Sequence, residues 1–230
     1  MKISFHGIEA PEGKVKYNDP ILLDLEKKFA PKKFTPYFAE FMKGGFEKSD
    51  AIAIFADSVL DLLIQDIEKL ETRIERSDSA SEKEFISRCQ KFLENEKPLC
   101  DMEISGEDEK LMNMIMPLSW KPTFLVKENN PDINTLIRNV LDKAKHSFFY
   151  TAGKQEVLSW LIRKGSDIVT CAGKIHSDLA KGFIKADIVN FADFKDMHNL
   201  QEARTKGVVK LVDRDYIIQE GDIIEIRFNV

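Results

Sequence analysis

The chain has 230 residues, 43% hydrophobic and 32% charged, with a formal net charge of −5. A chain of this size can form one large or two small domains with their own core, without a disulfide or metal staple. Its longest apolar stretch, Ala51 to Ala56, is far short of the ~18 residues of a membrane span, and the acidic balance excludes a wholesale basic coat while permitting a local patch.

Met1 to Glu9 is an apolar and polar mix broken by His6 and Gly7, without the apolar core and small-residue cleavage site of a secretory signal. Cytoplasmic residence is the expectation. Cys89, Cys100 and Cys171 are odd in number and never at C-x-x-C spacing, so they read as reduced thiols serving as small core residues.

From Gly13 to Tyr17, Val15 and Tyr17 alternate with lysines as in a short strand. Asn18 and Asp19 cap a helix that opens on Pro20, a residue suited to the first helical position because its missing N–H would be unpaired there. That helix reaches about Phe29, and Pro31 stops it. Leu60, Leu63, Ile67, Leu70 and Ile74 then fall at steps of three and four, one narrow stripe on a long amphipathic helix from Asp57 to Arg76. The polar run Ser77 to Ser81 breaks it, and Ser81 with Glu84 has the capping-box spacing that starts a second helix striped by Phe85, Cys89 and Phe92. Neither stripe can be buried alone, so the two helices should fold back as an antiparallel hairpin.

Thr123 to Val126 reads as a buried strand and Ile133 to His146 as a helix. All eight prolines precede Phe148, and the rhythm then turns to short strands at Val157–Ile162, Phe183–Val189, Val208–Val212, Tyr216–Ile218 and Ile223–Phe228. A boundary near Phe148 follows. In the last strand Ile224, Ile226 and Phe228 alternate with Glu225 and Arg227, and Ser177 suits the N-cap of a short helical turn ending at Gly182.

Tests for catalytic chemistry find little. No segment supplies G-x-x-x-x-G-K-[ST], whose glycines let backbone N–H groups wrap phosphates while Lys and hydroxyl reach the γ-phosphate and Mg²⁺. Gly44 and Gly45 read as a tight turn, and Gly7 is followed by Ile8, Glu9, Ala10 and Pro11, a poor polyphosphate cradle. His6, His146, His176 and His198 are scattered without metal-ligand spacing, and Ser177 between His176 and Asp178 has neighbours that point apart. One basic grouping remains. Lys174, His176, Lys181 and Lys185 surround the turn from Ile175 to Phe183, and Arg204, Lys206, Lys210 and Arg214 flank the next strand. Converging on one sheet face, they would meet phosphates. Asp178, Asp187, Asp193 and Asp196 are interleaved, and Phe183 is the one aromatic available for stacking, which favours backbone or shape contacts over base reading.

Three blocks carry a family resemblance: Phe149-Tyr150-Thr151-Ala152-Gly153-Lys154-Gln155-Glu156-Val157, Ile175 through Asp187, and Asp215 through Asp222 with Arg227-Phe228-Asn229-Val230. In that order they closely resemble the end of the YchF, or Obg-like ATPase, family. The resemblance implies that this region is a TGS domain, a ubiquitin-like β-grasp also seen in threonyl-tRNA synthetase and SpoT-type enzymes, where it looks like an RNA- or ribosome-associated module. Gly13 to Phe34, Asp50-Ala51-Ile52 and Lys121-Pro122-Thr123 are similar to segments of the family's G domain, and the hairpin occupies the place of its coiled-coil insertion.

The departures concern nucleotide chemistry. The family's phosphate-binding loop and first helix are missing between Ile8 and Gly13, its Asp-x-x-Gly segment is replaced by Ala39-Glu40-Phe41-Met42-Lys43-Gly44, and its Asn-x-x-Glu motif by Glu128-Asn129-Asn130-Pro131. No catalytic, metal-binding or cofactor-binding residue is carried over.

The expectation is an α+β protein. Residues 1–147 would form a degenerate G-domain-like α/β region with a helical hairpin at 57–95, and residues 148–230 a TGS β-grasp. Its function would be non-catalytic binding or regulation at the ribosome or on structured RNA, with the eight basic positions as contacts and no membrane association. Two alternatives stay open: a protein-interaction module docking through the hairpin or the TGS domain, and a weak ATP- or GTP-binding protein that keeps the family's nucleotide activity.

Overall fold

A computed structural model describes Met1–Asn229; Val230, the end of the third resemblance block and of the expected TGS domain, lies outside the described residues. The chain runs β1 (Lys2–His6), β2 (Gly13–Lys16), α1 (Pro20–Phe29), β3 (Lys33–Thr35), β4 (Phe38–Lys43), β5 (Ala51–Phe55), α2 (Leu60–Arg76) and α3 (Ala80–Glu94). It continues through α4 (Gly106–Ile115), β6 (Thr123–Val126), α5 (Ile133–Lys143), β7 (His146–Ala152), β8 (Glu156–Arg163), α6 (Ile168–Ile175) and α7 (Ser177–Lys181). β9 (Phe183–Asn190), α8 (Phe191–Phe194), α9 (Leu200–Thr205), β10 (Lys210–Val212) and β11 (Asp222–Phe228) complete it. The fold is mixed α and β, with two sheets, as the sequence implied.

Two compact units form: Met1–Val15 with Ala39–Ala144, and Lys16–Phe38 with the chain from Lys145 on. This differs from a single cut at residue 147, because the segment 16–38 packs with the later residues.

In the first unit the sheet order is β2-β4-β1-β5-β6, with β4/β1, β1/β5 and β5/β6 parallel. Helices cover both faces of a parallel sheet, so β5 reads as an unbroken apolar run, buried from Ala51 to Ile54. Leu136, Ile137, Val140 and Leu141 of α5 are buried, and α5 packs on β5 and β6. The core formed with α2, α3 and α4 joins Ile52, Ile54, Leu63, Leu70, Phe85, Cys89 and Met112.

The hairpin forms with two changes of register. Ser79, not Ser81, is the N-cap of α3 and accepts from the Glu82 N–H, since Ser77 and Glu82 are already joined by a 2.7 Å hydrogen bond. On α2, Leu60 is 44% exposed, whereas Asp66 is fully buried. Asp66 accepts from the N–H groups of Leu118 (2.5 Å) and Ser119 (2.7 Å), which turns it inward; burial raises its pKa against these bonds. Elsewhere, the expected helix to His146 ends at Lys143 because His146 starts β7, and Tyr216–Ile218 makes only an isolated bridge, Asp167 with Ile217.

The second sheet has the order β10-β9-β11-β7-β8-β3. β7/β8, β9/β11 and β9/β10 are antiparallel, and β7/β11 and β3/β8 parallel. Phe149, Ala186, Ile188 and Ile224 form a core with Ile168, Cys171 and Ala172 of α6. By alternation Phe148 and Tyr150 face the other way, and α1 packs on β7 and β8. There Tyr17 stacks on Phe148 with ring centroids 5.6 Å apart, and Phe29 stacks on Phe194 at 5.8 Å.

Asp19 anchors this layer. Buried at 4% exposure, it caps α1 by accepting from the Ile21 N–H at 2.9 Å, and its other oxygen accepts from the Tyr150 hydroxyl at 2.6 Å. Burial, and then the adjacent carboxylate, push the Tyr150 phenol well above its usual range.

Replacing Tyr150→Phe leaves a buried carboxylate oxygen without that donor and should cost about 1–3 kcal/mol, read by urea unfolding. The Ser77 hydroxyl, then the Arg73 guanidinium, hold Glu82 below its ordinary value of 4.5. A depressed carboxylate stabilises the fold above its unfolded pKa and loses that contribution as pH falls through the folded one. The wild-type chain should therefore lose stability below about pH 4.5, and Glu82→Gln should show a shallower decline in an acid titration followed by urea midpoint.

Candidate functional site

The eight basic candidates all lie in the second unit, but they do not share one sheet face. Lys174 lies in α6 and Lys181 in α7, with His176 between these helices, which pack against the Ala186 and Ile188 side of the sheet. Lys185 has the parity of Asp187 on β9 and so belongs to the opposite face, where Arg204 of α9 reaches Asp187 at 3.4 Å. Lys206 follows α9, Lys210 starts β10, and Arg214 lies beyond β10.

Most of them already have partners. His176, rather than Ser177, caps α7: its Nδ1 accepts from the Asp178 N–H at 3.2 Å. Lys181 stands 4.0 Å from Asp178, Lys185 3.2 Å from Asp213 and Lys206 2.7 Å from Glu202. Glu202 is held below the usual carboxylate range, first by the His198 N–H and then by Lys206. Arg214 donates to the Phe183 carbonyl at 2.8 Å and lies over its ring, 5.7 Å from the centroid. Lys174 and Lys210 have no ion-pair partner among the described residues.

Arg227, which the sequence does not single out, belongs to this surface too. Its guanidinium places two nitrogens 2.9–3.1 Å from the Asp187 carboxylate, and Arg204 is bound to both Asp187 and Glu225. The signal was present in the alternation of Glu225 and Arg227, which β-pairing sets opposite Asp187 and Lys185. Asp187, 8% exposed, thus gathers two arginines. Removing it as Asp187→Ala should cost roughly 1.5–3 kcal/mol in urea unfolding, the usual worth of a charge-assisted hydrogen bond.

In the first unit, a parallel sheet would take a ligand beyond the carboxyl ends of its strands, beside the switch from β1 to its two neighbours. β1 ends at His6, and six residues, without a helix, lead to β2 at Gly13. Gly7 adopts φ +71°, and a Cβ there would stand 2.8 Å from both Phe55 Cβ and Ser58 Oγ. His6 Nε2 lies 2.7 Å from Asp61, and the Glu9 N–H donates to the Asn129 carbonyl at 2.7 Å. The connection is therefore closed down onto the segments after β5 and β6. Ala39 to Lys43 lie in β4, and Gly44 and Gly45 form the following turn, both with positive φ. Among the described residues, no group of three or more His, Cys, Asp or Glu side chains is placed to hold a metal ion.

The three cysteines are unpaired thiols, with Cys89 and Cys171 buried. Burial pushes Cys89 up to about 11 and Cys171 to about 12, so both are inert packing groups at neutral pH. No helix among the described residues is long and apolar enough to cross a membrane.

Residues 147–229 match the family YchF-GTPase_C, described as a protein of unknown function (DUF933). The ribosome-binding ATPase YchF of Bacillus subtilis is 28% identical over 237 residues, an alignment covering 74% of this chain and 65% of that protein. The protein of the same name from Mycoplasma genitalium is 37% identical over 158 residues (64% and 41%), and Obg-like ATPase 1 of Danio rerio 32% over 163 (65% and 40%). The chain thus spans about two fifths to two thirds of the length of these relatives. The solved structure of the Schizosaccharomyces pombe YchF GTPase shares the fold, with a TM-score of 0.80 at 17% identity over 99% of this chain and 97% of that one. The class is that of the mixed α/β proteins with a YchF fold. Within it, residues 147–229 belong to the YchF-GTPase_C family, and the longer chain resembles the YchF / Obg-like ATPases.

Proposed function

We propose that this chain is a non-catalytic YchF-type protein that binds the ribosome or structured RNA through its C-terminal unit. The single observation carrying the non-catalytic part is the six-residue connection from His6 to Gly13. Phosphoryl transfer depends on backbone N–H groups, a Lys and Mg²⁺ held in register at that strand end, and the short connection packed on Ser58 and Asn129 leaves no helix N-terminus to supply them. The ribosome reading is supported by the Bacillus and Mycoplasma relatives, both named ribosome-binding ATPases. A TGS-type β-grasp is supported by the order β8-β7-β11-β9-β10, with α6 crossing between β8 and β9.

Phosphate contact falls to the cations with the least local neutralisation, Lys174, Lys181 and Lys210, with the other five candidates secondary. About three contacts on structured RNA predict that log K falls with log salt at a slope of roughly −2 to −3, measurable by filter binding. Lys174→Glu with Lys210→Glu should reduce ribosome co-sedimentation, whereas unchanged co-sedimentation would remove the RNA reading. Calorimetric titration with Mg-ATP and Mg-GTP should give no heat of binding; saturable heat would instead support the retained-nucleotide reading. A protein-interaction reading is favoured by one observation: Leu60 and Ile64, one turn apart on α2, are 44% and 50% exposed.

A further inference from the structure

The second sheet is left unfinished at one seam. β11 pairs with β9 along its length, from Asp222 to Phe228, but with β7 only at Ile223 opposite Tyr150. Counting on from that register, Ala152, the last residue of β7, stands level with Glu225, so among the described residues Ile226–Phe228 has a strand on its β9 side alone. A cleft of about 830 Å³ opens beside it, between the Thr151–Glu156 turn and the helices α6 and α7, with the Leu200 region on its other side.

Its walls suit an extended backbone. An unpaired strand edge offers N–H and C=O groups at the spacing of another strand, and side chains along it read every second residue of what binds. Ile175, Leu179 and Ile226 supply a half-buried apolar floor, and Phe228 is 45% exposed. The edge is also held in place: the Asn229 N–H donates to the Gly182 carbonyl at 2.9 Å, and any Cβ on residue 182 would overlap the Asn229 carbonyl oxygen. A fixed edge avoids the ordering cost that weakens association.

Charge selects among peptides. The carboxylates lining the cleft are already answered, Glu156 by Lys33 at 2.5 Å and by Thr35, and Glu225 by Arg204. Lys28 is answered as well, by Asp24 at 3.9 Å and by the carbonyls of Lys195 and Met197, whereas Lys154 has no ion-pair partner among the described residues. The uncommitted charge at the rim is positive.

We propose that this cleft takes an extended acidic peptide segment as an added strand against the Ile226–Phe228 edge of β11. The site lies outside the RNA reading and does not rest on it.

The test uses the full chain and fluorescein-labelled, end-capped octapeptides followed by anisotropy: one alternating Val and Glu, one alternating Val and Lys, and the Val/Glu peptide N-methylated at alternate residues. The Val/Glu peptide should bind saturably. The Val/Lys and N-methylated peptides should bind about tenfold more weakly or worse, since one loses the charge match and the other the backbone donors. Lys154→Glu and Phe228→Asp, both at exposed positions, should each weaken Val/Glu binding with an unchanged circular dichroism spectrum, and amide exchange at Ile226–Phe228 should slow on binding. Equal binding of the N-methylated peptide would overturn the proposal. So would unaltered affinity in both variants, or protection of this edge by a short RNA hairpin in place of any peptide.

Discussion

The Asp19 carboxylate does two jobs at once, and the second unit is arranged around that fact. One oxygen caps α1 and the other receives the Tyr150 hydroxyl, while both groups are almost fully withdrawn from water. A buried carboxylate is tolerated only when its acceptor sites are filled, so the pairing leaves α1 little freedom over β7. With α1 fixed, β3 is delivered to the outer edge of β8, and Phe29 is placed against Phe194. A segment more than a hundred residues earlier in the chain thereby becomes part of the unit that contains the family-matched region.

The same chemistry governs the charged surface. Asp187 sits where β9 and β11 bring Lys185, Arg227 and Glu225 onto one face, and α9 adds Arg204. These groups answer one another, so they position strands and α9 rather than advertise a cationic field. Residual positive charge is left at the periphery, on Lys174, Lys181, Lys210 and the turn at Lys154. In the first unit, steric closeness has a comparable effect: Gly7, tight against Phe55 and Ser58, lets the short connection after β1 pack down on the segment following β5.

How much could be read beforehand depended on the range of the forces involved. Asp19-Pro20 announced α1 because capping involves neighbours in sequence, the hairpin followed from apolar periodicity, and β6 was legible as a buried strand after Pro122. The N-cap of α3 moved from Ser81 to Ser79, and that of α7 from Ser177 to His176, since several adjacent side chains could serve and the surrounding contacts chose. Leu60 was expected inside and stands exposed; Asp66, unremarked, is buried because two N–H groups from a loop fifty residues on require its oxygens. The family of residues 147–229 was legible from three blocks of text.

The sequence by itself determined the composition class, the family resemblance and most element identities, because these rest on local residue type and order. Only the tertiary structure decided that residues 16–38 join the later unit, that the basic positions are divided between two faces and largely neutralised, and that Arg227 belongs with them. Those outcomes depend on which distant backbone and carboxylate groups meet once strands pair. Strand register and burial set such meetings, and no short window of sequence contains both partners.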